Sequence, residues 1–146
     1  NGHAEAKPFL IKAGWILSKL EWFASHPVRP IVRHGRRDYC QHKQEAERLI
    51  GERVACINRM YGFKYNRISI KNQKSRWGSC SKKKNLNFNY KIALLPSALV
   101  DYIIVHELCH LAEFSHSRVF WDLVSQAIPD PKAMRRALRK TSIGLY

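Results

Sequence analysis

His106-Glu107-Leu108-Cys109-His110 sets two imidazoles four residues apart with a carboxylate beside the first. On a helix, residues four apart lie about 40° apart around the axis and one turn along it, so both rings can grip one ion. Glu107 stands about 100° from His106 and can reach a metal-bound water without being a ligand itself. The helix that must hold this motif is expected from Pro96, its first residue, to about Glu113. Val100, Ile104, Leu108 and Leu111 leave it apolar nearly all round, the pattern of a buried central helix. Two histidines and a glutamate on one face of such a helix need partners, and a metal ion supplies them. The blander reading is a core helix whose two histidines are satisfied by hydrogen bonds.

A catalytic zinc takes three protein ligands and keeps a position open for water. His116 is the expected third ligand. On one continuous helix it would stand about 120° off the ligand face, so the helix must end between His110 and His116. Ser115 reads as the cap of a new helix, with Phe114 and Val119 spaced as a hydrophobic staple around it. The first turn of that helix would swing His116 back. Glu113, seven residues after His106, is the rival: a ligand, a group that orients one, or a solvated acid. Cys109 lies near the ligand face but reads as a small core thiol.

The elements around the motif follow from periodicity. Asp38 can cap a helix running to about Tyr61, with Leu49, Ile50, Val54, Ile57 and Met60 as its apolar stripe and Gly62 as its stop. Arg67-Ile-Ser-Ile-Lys71 and Leu86-Asn-Phe-Asn-Tyr90 alternate as half-buried strands, and Arg76-Trp-Gly-Ser-Cys80 reads as a short third one. Lys82, Lys83 and Lys84 fall at an exposed hairpin tip. Phe120, Trp121, Leu123 and Val124 belong to the helix after His116. A last basic helix follows Pro131, with Met134, Ala137 and Leu138 inward and Arg135, Arg136, Arg139 and Lys140 largely outward. Helices, a small sheet, then helices make an α+β fold: a three-stranded, mostly antiparallel sheet packed on the central metal-motif helix.

The chain has 146 residues, 45% of them hydrophobic, enough for one well-packed domain and too apolar for a disordered chain. Lys7 to Ser25 has helical spacing, and the Pro- and Gly-containing stretch from His26 to Arg37 is a connector. The expected organisation is a helical N-terminal extension over 1–36 and one domain over 37–146. No stretch approaches the roughly 20 apolar residues of a membrane span. With no secretion signal, Cys40, Cys56, Cys80 and Cys109 are expected as free thiols and the location as cytoplasmic. Lys and Arg number 26 against 11 acids, so a net charge of +15 points to an anionic partner such as nucleic acid or nucleotide, or to a simply solvated surface.

Three separated stretches carry a family resemblance: Ser75-Arg-Trp-Gly-Ser-Cys80, Asp101-Tyr-Ile-Ile-Val-His-Glu-Leu-Cys-His-Leu111 and His116-Ser-Arg-Val-Phe-Trp121. Together they resemble the YgjP-like metallopeptidase domain, a compact relative of the zincin proteases similar to the SprT and Wss1-like groups. The resemblance spans roughly Asp38 to Lys140. It implies a zincin-like fold, one Zn²⁺ per chain held by His106, His110 and His116, and Glu107 as catalytic base acting on a peptide or protein substrate. In place of the β-rich N-terminal region usual in that family, the first 36 residues here read as helical.

For peptide hydrolysis, Arg76, Tyr90, Tyr102 and Arg118 are positional candidates for steadying the developing oxyanion. Trp77 and Trp121 read as core or supporting aromatics. Leu86 to Tyr90, or the stretch around Trp77, could offer an exposed strand edge to an extended substrate. Two other functions remain open. One is a metal-dependent nucleotide phosphohydrolase (pyrophosphatase), although the chain has no Gly-rich phosphate loop and no carboxylate cluster for magnesium. The other is a non-catalytic, basic nucleic-acid-binding module with a structural metal, which predicts strongly salt-dependent binding.

Overall fold

A computed structural model of the chain describes residues 36–141. The helix expected over 7–25 and the connector up to residue 35 lie outside the described residues. Helix α1 (Arg36–Tyr61) buries Ala46, Ile50, Val54 and Ile57, a stripe at three- and four-residue spacing. Asp38 lies inside its first turn rather than capping it, because the helix already begins at Arg36. Its carboxylate accepts from the Tyr90 hydroxyl at 3.0 Å instead. Gly62 ends the helix with φ 68°, a left-handed conformation that costs glycine little, and its N–H donates to the Asn58 carbonyl at 2.7 Å.

Three strands follow: β1 (Arg67–Lys71), β2 (Gly78–Cys80) and β3 (Asn85–Asn89). Their order is β1-β3-β2, with β3 parallel to β1 and antiparallel to β2. The sheet is therefore mixed rather than mostly antiparallel. A tight turn joins β2 to β3 and forces them antiparallel, whereas β1 is separated from β3 by the whole β2 hairpin and can lie parallel to it. As the centre strand, β3 cannot serve as the exposed edge, and that role falls to β2. The Lys82–Lys84 tip is exposed as expected, and Lys84 takes φ 64° while its N–H donates to Ser81 O at 2.9 Å.

Residues 72–77 carry the chain from β1 to β2. Buried Asn89 pins them: its side-chain amide donates to Gln73 O at 2.8 Å and Arg76 O at 2.9 Å. A 3₁₀ turn over Tyr90–Leu94 then leads to α2 (Ser97–His110), with Pro96 just outside the first turn. Every residue of α2 from Ala98 to Cys109 is buried, so the motif helix is the centre of the fold. Helix α1 is tied to it by a bidentate pair, Arg53 Nε to Asp101 Oδ1 at 2.9 Å and Nη2 to Oδ2 at 3.0 Å. Two short helices close the structure, α3 (Arg118–Ser125) and α4 (Pro131–Arg139), the latter capped by Asp130 and buried through Met134 and Leu138. Cys40, Cys56, Cys80 and Cys109 are free thiols. No helix among the described residues is long and apolar enough to cross a membrane.

Candidate metal centre

Helix α2 stops at His110, three residues short of the expected end. Leu111 and Ala112 donate to the carbonyls three residues back, Leu108 O at 3.0 Å and Cys109 O at 3.1 Å, which tightens and terminates the last turn. The loop that follows contains His116 and is held by a contact absent from the sequence reading. Ser115 does not cap α3. Its hydroxyl donates to Glu113 Oε1 at 2.8 Å and its N–H to the same oxygen at 3.3 Å. Ser117 is the cap, accepting from Phe120 N. Phe114 and Val119 are 46% and 58% exposed, so the expected staple between them does not form.

The loop brings the three predicted histidines together. His106 Nε2 lies 3.1 Å from His110 Nε2 and 3.2 Å from His116 Nε2. Among the described residues these three are the one cluster of histidine, cysteine or acid with ligand atoms converging in this way, all within 4.8 Å. With metal–nitrogen bonds of about 2.0–2.1 Å in a tetrahedral site, ligand nitrogens stand about 3.3 Å apart, so the donor set fits a borderline-soft divalent ion. His110 Nδ1 sits 3.0 Å from the Glu113 carbonyl. A carbonyl only accepts, so Nδ1 carries the proton and Nε2 keeps its lone pair for the ion. Glu113 thus acts through its backbone on His110, while its carboxylate is occupied by Ser115.

Burial keeps His106 and His110 neutral. Burial drives the His106 pKa down to about 2, helped by His110, His116 and the Arg135 charge. Burial also lowers His110, partly offset by its contact with the Glu113 carbonyl. Neutral imidazoles are the form that binds metal.

Phe120, fully buried on α3, is the floor of the cluster. Its ring centroid lies 4.4 Å from that of His110, nearly parallel to it, and 5.0 Å from those of His106 and His116. Trp121 stacks on His116 at 6.0 Å, and Arg135 lies over the Trp121 ring at 5.4 Å. Tyr102 packs edge-on against His106 at 6.0 Å, and no hydrogen-bond partner meets its buried hydroxyl. Cys109 faces Tyr61 and the core rather than the cluster, and burial pushes its thiol up to about 12.

A cleft of about 540 Å³ opens over the histidines, with Glu107 in its wall. Gly78, Ser79 and Cys80 of β2 form one side, so the sheet borders the three histidines. Burial raises the Cys80 thiol to about 11, with the Glu107 charge adding to the effect. Of the four oxyanion candidates, Arg76 lines the cleft and Tyr102 lies beneath His106. Tyr90 is a core residue bonded to Asp38, and Arg118 is exposed on α3 outside the cleft lining. Arg135 and Arg139, read as largely outward, also line the cleft, Arg135 half-buried and Arg139 exposed. Their four-residue spacing on one helix was the signal that they share a face.

An α+β fold built around a central helix with this histidine cluster and an adjacent glutamate is that of a metal-dependent hydrolase. Residues 36–141 match the family described as YgjP-like, metallopeptidase domain, and the chain belongs to that family. Among solved structures it is similar to the metallopeptidase zymogen of Pyrococcus abyssi abylysin, with a TM-score of 0.59 and 21% identity over 66% of this chain and 99% of that one. That likeness is one of fold. No curated protein matches the chain.

Proposed function

We propose that the chain is a zinc metallopeptidase that hydrolyses a peptide bond in the cleft over His106, His110 and His116. The observation that carries this is the convergence of three imidazole Nε2 atoms in a cleft that Glu107 and strand β2 also line. In this reading the three histidines are the ligands of one Zn²⁺ per chain, and residues 37–146 are the catalytic unit with 1–36 as an extension. When bound, the ion supplies Lewis acidity, which brings the pKa of water toward about 7 and polarises a carbonyl. Glu107 takes the proton from the attacking water and returns it to the leaving amine nitrogen. Its place one residue after His106 puts it beside the reacting atoms without spending it as a ligand. Strand β2 borders the cleft, so an extended peptide can lie along Ser79 and Cys80 with its scissile bond over the cluster.

A second reading has an observation of its own. Arg76, Arg135 and Arg139 in the cleft could hold phosphates, as a nucleotide phosphohydrolase would need. The same experiment separates the two and tests the site. Protein purified without a metal-affinity tag should carry about one zinc per chain by elemental analysis. Casein and unstructured peptides should be cleaved, and nucleoside triphosphates left intact. Glu107→Gln should keep the zinc and lose cleavage by about 10²–10⁴-fold. If that variant keeps full activity, or if triphosphates alone are hydrolysed, the peptidase reading fails. A basic nucleic-acid module would show salt-sensitive binding that Glu107→Gln does not touch.

A further inference from the structure

The cleft is electrically one-sided. Arg76, Arg135 and Arg139 all line it, and Glu107 is the one acidic residue among the described residues that does. Peptide hydrolysis by three histidines and a glutamate calls for no such excess of guanidinium. Arg135 is half-buried there, while Arg76 and Arg139 are exposed on anchored backbone. The Arg76 carbonyl is clamped by buried Asn89 at 2.9 Å, and Trp77 next to it is wholly buried. Arg135 rests on the Trp121 ring. Arg139 follows one helical turn later, beside buried Leu138, and Thr141 closes that end with its hydroxyl on Leu138 O at 2.6 Å. The β2 side and α4 thus both present planar cationic forks to the same space, the geometry that carboxylates fit in two-point hydrogen bonds.

Size limits where the anion sits. A cleft of about 540 Å³ is ~8 Å across, about two residues of extended chain at ~3.3 Å each. We propose that Arg76, Arg135 and Arg139 form a carboxylate subsite, selecting substrates with an Asp or Glu side chain within two residues of the scissile bond. This rests on the peptidase reading above. Lysine or arginine at that position meets like charge and is disfavoured.

The test uses the zinc-loaded full chain and peptides matched except for one residue, Glu, Gln or Lys, walked across positions flanking the cleaved bond. All are C-terminally amidated, so only the side chain supplies a carboxylate. At the selecting position, kcat/KM for Glu should exceed that for Gln by about tenfold or more, with Lys lower still. The Glu to Gln ratio should shrink as salt is raised. Arg139→Glu and Arg76→Glu should each reduce or invert the Glu to Lys ratio. Should either variant unfold, the wild-type ratios and their salt dependence decide alone. Equal kcat/KM for the three peptides at every position overturns the subsite and leaves the peptidase reading standing. Hydrolysis of nucleoside triphosphates with every peptide left intact overturns both.

Discussion

Phe120 does at the residue scale what no ligand does for itself: it holds all three imidazole planes. Removing that ring while keeping an apolar side chain tests the role. Phe120→Leu should cost about 1–2 kcal/mol of stability. Loss of an outer contact that orients ligands should weaken zinc by about 10–100-fold, read by titration against a chromophoric chelator. If zinc affinity is unchanged, the ring is only core. Cys80 gives a pH prediction. Its thiol is raised from 9.0 to about 11, so the thiolate fraction at pH 8 is ~100-fold below that of an unperturbed cysteine. Iodoacetamide labelling followed by mass spectrometry should show Cys80 reacting far more slowly than exposed Cys40, catching up as pH rises through 9 to 11. The sign agrees with linkage: a raised folded pKa favours the folded state below pH 9 and loses that advantage above it. The convergence of His106, His110 and His116 was legible in the sequence because it is written in spacing along one short stretch. Phe120, Arg135 and Arg139 were not, because what places them is the packing of α3 and α4 on α2.

At the scale of elements, the order along the chain was legible and the junctions were not. Periodicity found α1, β1 and β3, which bury one face with their own period, and α2 stood out by being apolar all round. The corner between α2 and α3 was read with the wrong serine. Ser115 and Ser117 are equally good caps in isolation, and Glu113 decides between them by taking the Ser115 hydroxyl. Strand order was hidden for a different reason. The β1–β3 pairing joins segments that are distant in sequence, and nothing local in Arg67–Lys71 specifies a parallel neighbour. The tie between α1 and α2 is similarly non-local. Asp101 is buried, while Arg53 is partly exposed and still takes both carboxylate oxygens. Arg53→Ala takes the guanidinium from a carboxylate that water reaches poorly. It should destabilise the fold by about 3 kcal/mol in urea unfolding, with the slope of the transition unchanged. A cost below about 0.5 kcal/mol would mean the pair behaves as a surface salt bridge.

Across the whole molecule, two groups of basic residues within the +15 charge have different consequences. Lys82, Lys83 and Lys84 stand in solvent at a turn, where salt screens them. Arg76, Arg135 and Arg139 stand together in a cleft, where the same charge acts on whatever enters. Composition could announce the excess but could not sort it.

The ligand cluster has one more property, and it concerns the entropy of the chain. His106 and His116 are only 10 residues apart, whereas Arg53 and Asp101 are 48 apart. Loop closure scales as 1.5RT ln n, so bringing His106 to His116 costs about 1.4 kcal/mol less than bringing Arg53 to Asp101. An ion held there, as proposed, would be a local fastener and not a staple across the fold. Stripping it with a chelator should free amide hydrogens over 106–121 to exchange, while those of β3 and the middle of α1 stay protected. Exchange rising evenly through the molecule would mean that the whole domain, and not one corner of it, folds around the metal.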